Sequence, residues 1–231
     1  MAEVPDEGDG SRRARLLMES VHLGELERAT DALSAEREAI AIYRRLAAVS
    51  PEFYLSELAT CLTCLGVTLS ELDRHGEALN AEQEAVSVYR RLAAASPDRY
   101  LADLADALIN LGTTLAELDR PADALSAEQE AVAVYRRLAA ASPHRYLADL
   151  AEVLADLGVT LTERGLPAEA LPLVEEAVTI HRKLAAASPE RHRAGLTHSL
   201  AGLHVVISAL GRDEEARRSR PAPRPTVGDG P

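Results

Sequence analysis

Between residues 97 and 120 leucines fall at Leu101, Leu104, Leu108, Leu111, Leu115 and Leu118, in alternating steps of three and four. Those steps draw one apolar stripe along a helix, with charged and small polar residues on the other sides. The next stretch, 121–141, carries a second stripe of Leu125, Val132, Tyr135 and Ala139, widened by Ala124, Ala131 and Leu138. This pair of helices, A then B, is repeated along the chain. Ser-Pro falls at Ser50-Pro51, Ser96-Pro97, Ser142-Pro143 and Ser188-Pro189, each step being 46 residues. Leu-Gly keeps the same step at Leu65-Gly66, Leu111-Gly112 and Leu157-Gly158, and Leu203-His204 holds the fourth slot. The pattern predicts B helices over 31–49, 77–95, 122–141 and 168–187, and A helices over 51–73, 97–119, 143–164 and 189–211. One pair leaves apolar surface uncovered, whereas a stack of pairs buries it, so an all-α repeat array is expected.

Local signals agree with these limits. Ser96 suits an N-cap, Pro97 the first helical position, and Asp98 the positive end of the helix dipole. The A-to-B turns carry helix breakers at His75-Gly76, Arg120-Pro121 and Gly165-Leu166-Pro167.

The spacing resembles the tetratricopeptide repeat. In that family Leu-Gly on helix A is followed by alanines twelve and nineteen residues after the glycine. Here Leu65-Gly66 is followed by Ala78 and Ala85, Leu111-Gly112 by Ala124 and Ala131, and Leu157-Gly158 by Ala170 and Ala177. The family unit is about 34 residues, so the longer period implies longer helices, similar to the extended repeats of kinesin-light-chain-like bacterial members. The resemblance implies a right-handed α-solenoid of about four and a half helix-turn-helix repeats over residues 12–211. Residues 1–11 are then an acidic disordered tail, and 212–231 the frayed start of a further helix followed by a Pro-rich tail. Arg12–Arg28 aligns with helix A but carries Glu19 in place of the leucine of Leu-Gly, as a terminal helix would.

The resemblance also implies a binding face. The concave groove of such proteins is lined by helix A residues around the glycine. Carried over, these include Thr60, Thr63, Val67, Ser70 and Glu71, with Cys64 beside them. The next repeat supplies Asp106, Ile109, Asn110, Thr113, Ala116 and Glu117, and the one after it Glu152, Ala155, Asp156, Val159, Thr162 and Glu163. No Lys or Arg stands among these positions, so the grip on a terminal carboxylate used by chaperone-binding members is excluded. An acidic, small-sided groove suits a basic partner segment with interspersed aliphatic residues.

Composition narrows the rest. The net charge of −12 argues against a nucleic-acid partner. Aromatics are 3% of the chain, so Leu, Ala and Val must make the core. No membrane-spanning run and no signal-peptide core is evident, which gives an expectation of a cytoplasmic protein. Of 25 basic residues only Lys183 is a lysine, a bias expected of a GC-rich bacterial genome. Cys61 and Cys64 lack the second ligand pair of a zinc site and the strand-to-helix setting of a redox motif, so one is expected inside and one outside. No two histidines sit three or four apart, and no catalytic triad or phosphate loop stands out. The expectation is therefore no enzyme, no metal and no cofactor.

Two repeat-equivalent features and one confined to the last helix bear on packing and function. The doubled basic residues Arg44-Arg45, Arg90-Arg91, Arg136-Arg137 and Arg182-Lys183 read as a solvated face, paired with preceding acids such as Glu84, Glu130 and Glu176. Glu36, Glu82 and Glu128 occupy a position where the family buries an apolar side chain, as Val174 does in the last copy. They are either half-buried against hydroxyls such as Thr68 and Thr114 or rotated into water, and the rarity of buried acids favours rotation. The last A helix adds Val205 and Val206 outside its stripe, a candidate contact between copies. The functional expectation is a non-catalytic protein-binding scaffold, with a self-assembling module or a regulatory arm beside a separate effector chain as alternatives.

Overall fold

The structure, a computed structural model, describes the backbone of residues 26–218 and the side chains of 32–212. The expected tails 1–11 and 219–231, and the degraded helix within Arg12–Arg28 up to residue 25, lie outside the described residues. Eight helices and no strands are found among the described residues. They are α1 (Leu26–Val49), α2 (Pro51–Glu71), α3 (His75–Ala95), α4 (Pro97–Glu117), α5 (Pro121–Ala141), α6 (Pro143–Glu163), α7 (Pro167–Ala187) and α8 (Pro189–Arg218). Even-numbered helices are the A helices and odd-numbered ones the B helices. The last differs from its expected bounds: α8 runs on through Asp213–Arg218, where a new helix B was expected.

The chain divides into two compact units between Tyr146 and Leu147. In the first, each helix from α1 to α5 packs on the next, and the A helices α2 and α4 also touch. Its core is aliphatic: Leu58, Leu62 and Leu69 from α2 meet Leu33, Ile40 and Tyr43 from α1 and Ala78, Ala81 and Ala85 from α3. In the second unit α7 packs on α8, and Gly158 of α6 faces Val174 and the Ala170 carbonyl of α7.

The glycine of Leu-Gly does what close packing requires. A Cβ at Gly66 would stand 2.6 Å from Glu82 Cγ, and one at Gly158 would run into Val174 Cγ2. At Gly112 the approach is looser, 3.3 Å to Glu128 Cγ.

Helix ends depart from two expectations. Ser50 and Ser96 make no side-chain cap; each closes the preceding helix with its N–H while its carbonyl opens the next one. The prolines do occupy the first positions. The A-to-B reversal is made at Asp73 and Asp119, just ahead of the expected breakers, and at Gly165, itself one of them, with φ values of 56°, 54° and 76°. Around Asp73, Arg74 N–H reaches the Leu69 carbonyl at 2.9 Å and Asp73 N–H the Ser70 carbonyl at 3.0 Å, the paired bonds of a Schellman close. Gly76 and Pro121 already lie inside the following helix.

Candidate protein-binding surface

The A helices of the first unit present side chains that their leucine stripes leave uncommitted. On α2, Val67 and Glu71 are exposed and Thr63 is half-buried, its hydroxyl spent on the Ala59 carbonyl. One repeat on, α4 exposes Asp106, Thr113 and Glu117 and half-buries Ile109 and Asn110. The carboxylate of Asp106 accepts a short hydrogen bond from the Tyr135 hydroxyl of α5, which holds it in place at the surface. In the second unit α6 exposes Glu152, Asp156 and Glu163, with Val159 half-buried. Asp156 is met by His198 Nε2 of α8 at 2.7 Å.

Beside Thr60 on the first unit's A face the structure opens a cleft of about 430 Å³ that family-pattern reasoning missed. Tyr43 of α1 and Tyr89 of α3, both almost fully buried, line it together with Glu57 of α2 and Tyr100 and Asp103 of α4. The Tyr89 hydroxyl lies 3.3 Å from Thr60 Oγ1, the counterpart of the Tyr135–Asp106 bond one repeat later. Burial, with the neighbouring Asp106 charge, raises the Asp103 pKa, and Arg99 partly offsets the rise. A signal was present in the sequence: Tyr43, Tyr89 and Tyr135 keep the repeat step, as do Tyr54, Tyr100 and Tyr146.

The glutamates Glu36 and Glu82 reverse the expectation of rotation into water. Glu36 is 0% exposed and Glu82 2%, while Glu128 is half-buried. Each of the first two accepts a hydrogen bond from the next repeat's helix A, Thr68 Oγ1 to Glu36 at 2.9 Å and Thr114 Oγ1 to Glu82 at 3.0 Å. At Glu82 the missing side chain of Gly66 makes the room, and at both sites the threonine hydroxyl from the neighbouring helix A makes burial tolerable. Burial nonetheless raises both pKa values, that of Glu82 to about 7, against the lowering effect of the threonine bonds.

The basic ladder is self-paired, but between repeats rather than within a helix. Arg44 clasps Glu84 in a two-point pair, with Nε to Oε1 at 3.0 Å, and Arg90 does the same to Glu130 at 2.9 Å. Cys61 is buried and Cys64 half-buried; burial pushes the Cys61 thiol up to about 12, which leaves it an inert packing group. His181, standing where other repeats have tyrosine, is buried and bonded to Ser199 at 2.8 Å, and burial lowers its pKa. No cluster of potential metal ligands occurs among the described residues.

Two further expectations need correction. Val206 is 0% exposed, turned into the packing of the second unit, and so is no contact between copies; Val205 (40%) and Ile207 (54%) are the exposed residues there. Among the described residues two helical stretches are apolar and long enough to cross a membrane by length and composition alone, Pro51–Glu71 and Pro189–Arg212, contrary to the expectation that no such run exists. The first reaches that hydropathy through its leucine stripe, which packs into the core of the first unit.

Helix pairs repeating in strict register, small residues at the A–B crossing, and side chains displayed on the A helices define a helical-repeat protein of the α-solenoid class. The tetratricopeptide repeat model matches residues 58–98, 104–144 and 150–190, more than half of the chain, and the chain belongs to that family. Among solved structures it is similar to the kinesin light chain of Podosopora anserina, built of nearly identical tetratricopeptide-like repeats. That likeness has a TM-score of 0.57 at 16% identity and covers 90% of this chain and 92% of that one. The apo form of RapI is similar at a TM-score of 0.61 and 13% identity, over 90% of this chain and 66% of that one. At such identities the likeness is one of fold. No curated protein matches the chain in sequence. As a tetratricopeptide repeat protein the chain is a protein–protein interaction scaffold.

Proposed function

We propose that the chain binds a basic segment of another protein, carrying interspersed aliphatic residues, on the acidic A-helix face. The observation that carries this reading is in the first unit: Glu71, Asp106 and Glu117 are exposed there, with Val67 and Ile109 among them. Fixed charges of one sign on one face concentrate cationic segments and speed encounter, while the aliphatic side chains supply contact area. Glu152, Asp156 and Glu163 give the second unit an A face of the same sign. The role is non-catalytic and needs neither nucleic acid nor membrane. Free cysteines support a cytoplasmic setting, and the arginine bias a bacterial one.

Fluorescence anisotropy with a labelled peptide of alternating Arg and Leu tests the proposal. Binding should weaken steadily as salt rises, because surface charges are screened over roughly 8–10 Å at physiological ionic strength. Binding that is absent, or indifferent to salt, refutes it.

A second reading, assembly of copies through α8, rests on the exposed Leu200, Val205 and Ile207. Light scattering on the eluting chain decides it: a monomer at high concentration removes this reading.

A further inference from the structure

The cleft walled by tyrosines is chemically distinct from the rest of the A face. Its floor is Tyr43 and Tyr89, which are nearly buried, and Tyr100 stands at its rim. Glu57 and Asp103 are repeat-equivalent acids on α2 and α4, one from each A helix that borders the opening. Glu57 takes a 2.8 Å bond from the Ser56 hydroxyl, which leaves its second oxygen for another donor. At the rim the guanidinium of Arg99 lies 5.0 Å from the centre of the Tyr100 ring. A cation packed on a tyrosine is therefore already part of this lining.

We infer that this cleft receives a basic side chain of the partner, an arginine by preference. Resting on the proposed basic segment, the inference names where one of its residues anchors. Two carboxylates from the A helices that border the opening supply acceptors for a forked guanidinium, and the half-buried Tyr100 ring at the rim supplies a face over which a flat cation packs. A lysine offers a point charge that can pair with one carboxylate but cannot stack on a ring and meet a carboxylate side-on together. A volume of about 430 Å³ leaves room for the stem as well as the head of such a side chain. The raised pKa of Asp103 fits an acid partly withdrawn from water whose neighbour, Asp106, repels its charge, a cost that an arriving cation relieves.

The test is calorimetric titration of the full chain with three peptides of alternating basic residue and Leu, the basic residue being Arg, Lys or uncharged citrulline. The Arg peptide should bind the wild type at least about tenfold more tightly than the Lys peptide, and the citrulline peptide should not bind measurably. Glu57→Gln with Asp103→Asn should lose at least about tenfold for the Arg peptide and erase its advantage over Lys. Both changes keep shape at positions that reach solvent, and an unchanged thermal melt verifies the fold. If the double variant binds the Arg peptide as the wild type does, the cleft is not the anchor, while the basic-segment reading stands. Equal affinity for Arg and Lys in the wild type overturns the guanidinium assignment. Failure of the wild type to bind any basic peptide overturns both readings.

Discussion

The buried glutamate of α3 makes stability depend on pH in a direction opposite to most carboxylates. Glu82 has one oxygen bonded to Thr114 and the other, Oε2, buried with no hydrogen-bond donor. It packs on Gly66 of α2, and the titratable group beside it is His75 on its own helix. Its folded pKa of about 7 lies above the ordinary value of 4.5, so the folded chain holds this proton more tightly than the unfolded one. The proton-linked stability is complete below about pH 4.5 and is lost as pH rises through 7. A tenfold difference in proton affinity between the folded and unfolded chain is worth roughly 1.4 kcal/mol, so the loss by about pH 9 is on the order of 3 kcal/mol. Glu82→Gln keeps an acceptor for Thr114 but buries an amide donor where Oε2 stood, at a pH-independent cost of about 1–3 kcal/mol. The variant should therefore be less stable than wild type near pH 5.5 and equal or better near pH 9. Glu82→Val, which copies Val174, should remove the Glu82 share of the dependence without the buried donor, because Thr114 retains Ser70 Oγ at 3.1 Å. Urea midpoints followed by circular dichroism at both pH values measure this. A wild type and Glu82→Gln pair with parallel pH dependence would refute a proton-linked Glu82.

Other outcomes follow from the same geometry. Gly158→Ala should lose about 1–3 kcal/mol, because stiff, β-branched Val174 cannot yield, whereas Gly112→Ala should be close to neutral in a thermal melt. Asp119→Gly should raise stability by about 0.5–1 kcal/mol, since the left-handed φ of 54° at this turn is free of strain for glycine, as at Gly165. Arg90→Ala, which breaks the exposed pair to Glu130, should cost no more than about 1 kcal/mol by urea titration, and that cost should shrink in high salt.

The fold was legible because the register never slips. Leu, Gly, Ala and Pro at a constant step leave one way to pair the stripes, and seven of the eight helices end within a few residues of their predicted bounds. What a period cannot show is who stands opposite. Thr68 and Thr114 are legible as candidate hydroxyls, but only the packing shows that Thr114 meets Glu82 and keeps it inside. The cleft was hidden for a related reason. Its floor comes from B-helix tyrosines, while the family's binding pattern counts helix A positions alone. Val206 was misjudged because two adjacent valines on a helix point different ways, and only packing tells which is outside. Even α8 continues past its expected end at Gly211, since a glycine weakens a helix without stopping it and no proline intervenes before Arg218.

On the proposed function it is the acidic A face, and not acidity at large, that recruits the partner. Stopped-flow association of the Arg-Leu peptide tests it most directly, with two variants that remove the same charge from different faces. One changes Glu71, Asp106 and Glu117 to Gln, Asn and Gln on the A helices. The other changes Glu77, Glu84 and Glu130 to Gln on the B helices, where they are paired with Arg37, Arg44 and Arg90. The A-face variant should slow association by about tenfold or more at low salt and flatten its salt dependence, while the B-face variant should stay within about twofold of wild type. Equal slowing by both variants would show a diffuse charge effect and contradict the claim.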